Sequence, residues 1–274
     1  MERASLGVKL GRIPWQLIVF LSVSVLLTIW LVSTPPGLLG KADAVGYAVC
    51  HRIDERSFHL GDRQLPLCAR CTGMFLGAIL GLVYQSRVGR RRTGLPRWWA
   101  WIPFGMMVIA FGIDGINSFL HLIPGLHFLY LYEPQNWLRL LTGTGMGLVI
   151  SAILYPAYNL TVWKEWDSHP VITSIKSLGG LLLLAIIMDL MVLTENPLLL
   201  YPLALVAVAG VIVLLMMIYS MSWMIVFRLD NSITNYSQMV LPSAIGFMIC
   251  LLQIAMIDIV RYWLTGTWNG FTFG

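Results

Sequence analysis

Three cysteines and a histidine stand close together in this chain: Cys50-His51, then Cys68-Ala69-Arg70-Cys71. Thiols and imidazole are the side chains best suited to bind soft metals or to exchange disulfides. Two chemistries fit the spacing. In the first, three thiolates and one imidazole form a four-coordinate set for zinc or another thiophilic metal ion, with C-x-x-C as a standard half-site. Adjacent residues point different ways, so His51 serves either as a ligand beside Cys50 or as an outer partner, and in the latter case Asp114 or His121 could complete the set. In the second, Cys68 and Cys71 are a redox pair at a helix N-terminus, where the helix field and free N–H groups lower a thiol pKa. Arg70 adds positive charge there, and Cys50 becomes a relay thiol. A simple disulfide staple leaves one of the three sulfurs over. Cys250 lies deep in an apolar run and reads as an inert core residue. The metal set of Cys50, His51, Cys68 and Cys71 is the favoured reading.

The elements that position these residues are membrane helices. Of 274 residues, 58% are hydrophobic and 11% charged, with a mean hydropathy of +0.77. Soluble domains carry about 25% charged residues, so this composition belongs in lipid. Apolar runs near the ~20 residues needed to span fall at 14–33, 71–86, 98–120, 138–158, 177–194, 198–227 and 239–264. The expected fold is all-α, a polytopic bundle of about seven transmembrane helices. The first run follows Arg3, Lys9 and Arg12 without a clear cleavage pattern, so it reads as an anchor rather than a signal peptide. Residues 1–158 read as a four-helix core whose loop, 34–70, carries the Cys/His motif, and 159–274 as a three-helix extension. The loop after the second run holds Arg87, Arg90, Arg91, Arg92 and Arg97 and no acid. The positive-inside bias therefore places the N-terminus in the cytoplasm and the Cys/His loop outside it, in a multi-pass protein of the cell inner (plasma) membrane. The formal charge of +5 sits largely in that loop and does not point to nucleic acid. The expected partners are membrane lipids and, in one reading, other membrane subunits.

That topology gathers further polar residues beside the sulfurs. Asp114, Asn117 and His121 are spaced by three and four on one helix face, and Arg139 opens the fourth run. These four are expected to form a polar wall beneath the thiols. The alternative is a structural pair of Asp114 with Arg139 or Asn117. His59, His127, Glu133 and Asn136 lie in the same outer loops, and Asp189, Asp258 and Arg261 near the outer ends of later runs. Arg52, Asp54, Glu55, Arg56 and Arg63 are a solvated loop surface, or pair to fold that loop down. Gly73, Gly77 and Gly81, with Gly143 and Gly147, form small-residue faces that let helices approach closely in lipid.

The strings Cys50-His51-Arg52, Glu55-Arg56-Ser57-Phe58 and Leu67-Cys68-Ala69-Arg70-Cys71-Thr72-Gly73 resemble the prokaryotic membrane protein family called domain of unknown function 2085. Asp114-Gly115, and Arg139 with Gly143 and Gly147, are similar to its later blocks, so the resemblance covers about residues 45–150. It implies a polytopic protein with a Cys/His site and transfers no activity. Three functions are then in play: a metal-binding membrane protein, a thiol–disulfide oxidoreductase using Cys68 and Cys71, and an accessory subunit of a larger membrane complex.

Overall fold

Every expected apolar run forms a helix, and one helix stands outside the expected set. The structure, a computed structural model, describes residues 15–123 and 130–269. The helices are α1 (Trp15–Ser33), α2 (Leu38–Val49), α3 (Ala69–Val88), α4 (Trp101–Leu120), α5 (Asn136–Val162), α6 (Ile175–Leu193), α7 (Pro197–Val226) and α8 (Val240–Thr265). Among the described residues, six of them (α1 and α4 to α8) are long and apolar enough to cross a membrane. The seventh expected span is α3. It has 20 residues but carries Arg70, Gln85 and Arg87 and three glycines, which lower its hydropathy. It is held inside the bundle, burying Thr72, Leu76, Leu82 and Gln85. The protein is an all-α membrane helical bundle.

The additional helix, α2, lies within 34–70, a stretch expected to be loop. Its 12 residues include Lys41 and Asp43, so it is too short and too polar to register as a span. It buries Ala42, Ala44, Val45 and Tyr47. After it, His59–Leu60 (β1) pairs antiparallel with Arg63–Gln64 (β2), turning at Gly61, whose φ of 61° is left-handed. Phe58, Leu65 and Leu67 face inward around this hairpin and share one core with Val45, Leu76, Val208 and Ile254. Helices α7 and α8 thus close the same core as α2 and α3.

Helix α3 packs along α5 at backbone distance. A Cβ on Gly73 would stand 2.9 Å from the Thr144 nitrogen, one on Gly77 3.0 Å from Thr144 Cα, and one on Gly147 2.6 Å from the Ala78 nitrogen. Only glycine permits this approach, so the two small-residue faces interlock.

At the far end of α3, Arg92–Gly94 (β3) pairs in parallel with Asp167–Pro170 (β4). Arg91 lies 3.9 Å over the Trp163 ring and Arg90 bonds the Tyr236 hydroxyl at 2.8 Å. The arginine-rich loop is therefore folded against aromatic side chains. A rise of ~1.5 Å per residue puts this loop about 30 Å from the sulfur end of α3. Arg3, Lys9, Arg12 and His127 lie outside the described residues.

Candidate metal centre

Cys50 closes the C-terminus of α2, where its N–H still donates to the Gly46 carbonyl at 2.8 Å. Cys68 is the residue before the first turn of α3, and Cys71 lies within that turn. These two chain segments meet because Gly46 has no side chain: a Cβ there would stand 2.7 Å from the Pro66 carbonyl carbon. The three Sγ atoms lie within 4.8 Å of one another. Cys50 is buried, Cys68 and Cys71 are half-buried, and all four cysteines are unbridged. Cys250 is buried in α8, apart from the cluster.

Donors converge on Cys50. Its sulfur accepts the backbone N–H of Cys68 at 3.4 Å and that of Arg52 at 3.5 Å. Arg52 sits at a φ of 52°, in the left-handed region, which curls its N–H back toward the sulfur two residues earlier. The Cys68 and Cys71 thiols also donate to Cys50, and together these donors hold its pKa well below the usual thiol value, against the effect of burial. Cys68 moves the other way, pushed up to about 12, because its proton is engaged by Cys50 and a second buried thiolate would sit against the first. This departs from the expected lowering of the C-x-x-C thiols by the helix N-terminus. The thiol whose pKa is lowered is Cys50, the residue upstream.

Among the described residues, no histidine ring is grouped with the three sulfurs. His51 is exposed, its ring is not one of the grouped ligands, and its carbonyl accepts from Arg261 at 3.3 Å. His121 faces Glu133 at 3.4 Å and meets the Tyr130 ring edge-on. His59 bonds Asp54 at 3.0 Å.

Beside the sulfurs lies a polar network centred on Asp114, which is 1% exposed. It accepts from Arg70 Nε at 3.1 Å and from the Tyr132 hydroxyl at 2.9 Å, and Arg70 Nη2 closes a second contact to the same carboxylate. The partner of Asp114 is thus Arg70, inside the C-x-x-C, and not Arg139 or Asn117. Asn117 instead ties down the chain before α5, accepting from the Leu131 N–H at 2.6 Å and donating to the Tyr132 carbonyl at 2.8 Å. Arg139 is buried and donates to Asn136 Oδ1 at 2.9 Å and Ser118 Oγ at 3.4 Å. Arg56 donates to the Ser118 carbonyl at 2.8 Å. Burial of the Tyr132 phenol, with its bond to Asp114, pushes its pKa up to about 12.

One contributor escapes a reading of the sequence. Ser118 lies one helical turn beyond Asp114, a spacing that could have flagged it. Arg261 is expected near the outer end of its run, but its partners are not. It reaches from α8 to the end of α2, donating to the carbonyls of Tyr47, Cys50 (2.7 Å) and His51, with its guanidinium 3.9 Å over the Tyr47 ring. It caps the helix that carries Cys50. Its sequence neighbour Asp258 takes the Trp30 indole N–H instead, at 3.3 Å, and Asp189 takes the Thr144 hydroxyl at 2.6 Å.

The cluster has the donor chemistry of a thiophilic metal site. A tetrahedral ion with metal–sulfur bonds of about 2.3 Å sets its sulfurs about 3.8 Å apart, so the thiols need only a modest contraction.

The family model described as "Predicted membrane protein (DUF2085)" matches residues 50–153, the stretch from the first site cysteine through most of α5. An uncharacterized protein of Methanothermobacter thermautotrophicus is 31% identical over 104 residues, covering 37% of this chain and 82% of its own. An uncharacterized protein of Methanocaldococcus jannaschii is 24% identical over 124 residues, covering 45% and 72%. No solved structure matches the chain.

Proposed function

We propose that this chain, which belongs to the membrane protein family called domain of unknown function 2085, binds a thiophilic metal ion, zinc by preference, through Cys50, Cys68 and Cys71. The observation that carries the reading is the mutual approach of the three sulfurs within 4.8 Å. Two backbone N–H groups aimed at one of them support it, since such donors stabilise the thiolate that a metal requires. His51, next in sequence to Cys50, is the nearest source of a fourth ligand by a side-chain turn, and otherwise that position is open to an external ligand. A metal with an open position supplies Lewis-acid chemistry. Helix α3 runs from the cluster to the arginine loop, so the positive-inside bias puts the centre at the extracytoplasmic face of the inner membrane, with the N-terminus in the cytoplasm.

Metal analysis of the purified, reduced protein tests the proposal. Stoichiometric metal is expected in wild type and in Cys250→Ser, and is expected to be lost in Cys50→Ser, Cys68→Ser and Cys71→Ser. Metal-free protein with all three thiols open to alkylation would refute it. Thiol–disulfide exchange is the second reading, favoured by the Cys50 sulfur standing within 4.8 Å of two further thiols. It requires a reversible disulfide between two members of the trio in protein purified without reductant, which mass spectrometry after alkylation detects directly.

A further inference from the structure

Cys50, Cys68 and Cys71 open onto a cavity of about 480 Å³ whose walls are of two kinds. One wall is cationic: Arg56, Arg70 and Arg139 line it. The other is apolar: Phe119, Leu122 and Ile123, at the end of α4, with Gly115 leaving space between them and Arg70.

The cationic wall is short of negative charge. Asp114 is the carboxylate of this network, and Arg70 already engages it. Among the described residues, neither Arg56 nor Arg139 forms a salt bridge; their hydrogen bonds go to the neutral groups of Ser118 and Asn136. Arg139 is nonetheless only 5% exposed. Burying a cation without an anion is costly, and proteins hold such an arrangement where a ligand supplies the missing charge. Burial and repulsion from Arg70 lower the pKa of Arg56. A metal does not remove the excess. A dication on three thiolates contributes one net negative charge, fewer than the two guanidiniums left without a carboxylate.

The geometry points to a ligand class: the phosphate group of a membrane amphiphile, seated on Arg56, Arg70 and Arg139, with its hydrocarbon chain along Phe119, Leu122 and Ile123. Guanidiniums match phosphate oxygens in paired hydrogen bonds, and several together suit a group with three free oxygens. The apolar wall leads outward, because Phe119 is 62% exposed and Ile116, on the same helix, 64%, both on the lipid-facing flank of the bundle. This names the ligand of the cavity that the proposed metal centre faces. It rests on that reading for what lies beside the phosphate, and not for the charge that binds it.

The test uses the full chain in phosphatidylcholine nanodiscs, with dodecyl phosphate, inorganic phosphate and dodecanol as probes and metal content measured on the same samples. Dodecyl phosphate is expected to bind saturably and dodecanol not. Arg56→Gln and Arg139→Gln are each expected to weaken dodecyl phosphate by roughly tenfold or more, the loss of a charged hydrogen bond, with metal content unchanged. Arg56 is half-buried in a loop, so its variant reports even where Arg139→Gln fails to fold. Inorganic phosphate binding as tightly as dodecyl phosphate would confirm the guanidinium seat and assign it to a soluble anion. Dodecyl phosphate binding no better than dodecanol, or equally in wild type and Arg56→Gln, would overturn the inference. Reduced wild-type protein that binds dodecyl phosphate yet carries no metal as purified would sink the metal reading alone.

Discussion

Replacing Gly143 by alanine tests whether helix packing sets the sulfur geometry. Gly143 lies on α5 against the first turn of α3, and a Cβ there would stand 3.0 Å from the Arg70 carbonyl carbon, 3.1 Å from the Met74 nitrogen, and closer still to the Arg70 oxygen. These are backbone atoms, so no side chain can swing aside. Ordinary contact begins at 3.4 Å, which requires the Arg70 carbonyl carbon to retreat by about 0.4 Å and its oxygen by more. Arg70 sits between Cys68 and Cys71, so the displacement falls on both. Metal–ligand distances tolerate about 0.2 Å, half the retreat required of the Arg70 carbonyl carbon. Gly143→Ala should therefore weaken metal binding by roughly 10–100-fold, as loss of a supporting contact does. Overpacking should also cost about 1–3 kcal/mol of stability. Competition of the bound metal with a graded series of chelators measures the first effect, and thermal unfolding the second. Gly105→Ala on α4 is the control: nothing lies within 4 Å of a Cβ there, so the same change should leave both readouts at wild type. Wild-type affinity and unfolding temperature in Gly143→Ala would refute the claim that the α3–α5 contact positions the thiols.

Two further expectations concern the supports of the site. Arg261→Gln removes the charged donors from the α2 carbonyls, each worth about 1.5–3 kcal/mol, so Cys50 should be alkylated at least roughly tenfold faster in metal-free protein; an unchanged rate, read residue by residue in the mass spectrometer, would show that α8 does not hold it. Tyr132 has a folded pKa of about 12, above the ~10 of an unfolded tyrosine. The unfolded chain therefore loses this proton first, so the contribution of Tyr132 is intact below about pH 10 and is lost as pH climbs toward about 12. Chemical unfolding across that range should show a steeper alkaline loss of stability in wild type than in Tyr132→Phe, and parallel profiles would count against the Tyr132–Asp114 bond.

The spans were legible because burial in lipid is a property of each run by itself. Trp15–Ser33 or Pro197–Val226 is apolar over enough length to cross whatever its neighbours do. The glycine faces of α3 and α5 were legible for a related reason: fourfold spacing fixes a stripe on a helix before any partner is known. The C-x-x-C was legible as chemistry, and about residues 45–150 as the stretch that resembles the family, against the 50–153 that its model matches. Helix α2 was not, because its 12 residues form a helix only by burying Ala42, Val45 and Tyr47 against chain that arrives later. Nor was the choice of partners for the charged residues. Asp114 could meet several cations on the same side of the membrane, and only the packing of α3 and α4 against α5 hands it Arg70. The lowered pKa of Cys50 is a third case, since it depends on N–H groups and thiols from three different turns of backbone.

By itself, then, the amino-acid order determined which segments enter lipid, which of their faces are small, and which side chains have metal or thiol chemistry to offer, since these follow from local composition and period. Tertiary structure alone decided that the end of α2 meets the start of α3, that an arginine from α8 clamps that junction, and that Arg56, Arg70 and Arg139 line one cavity with only Arg70 paired to a carboxylate. Distances between residues far apart in the chain are set by how helices pack, and no local pattern encodes them.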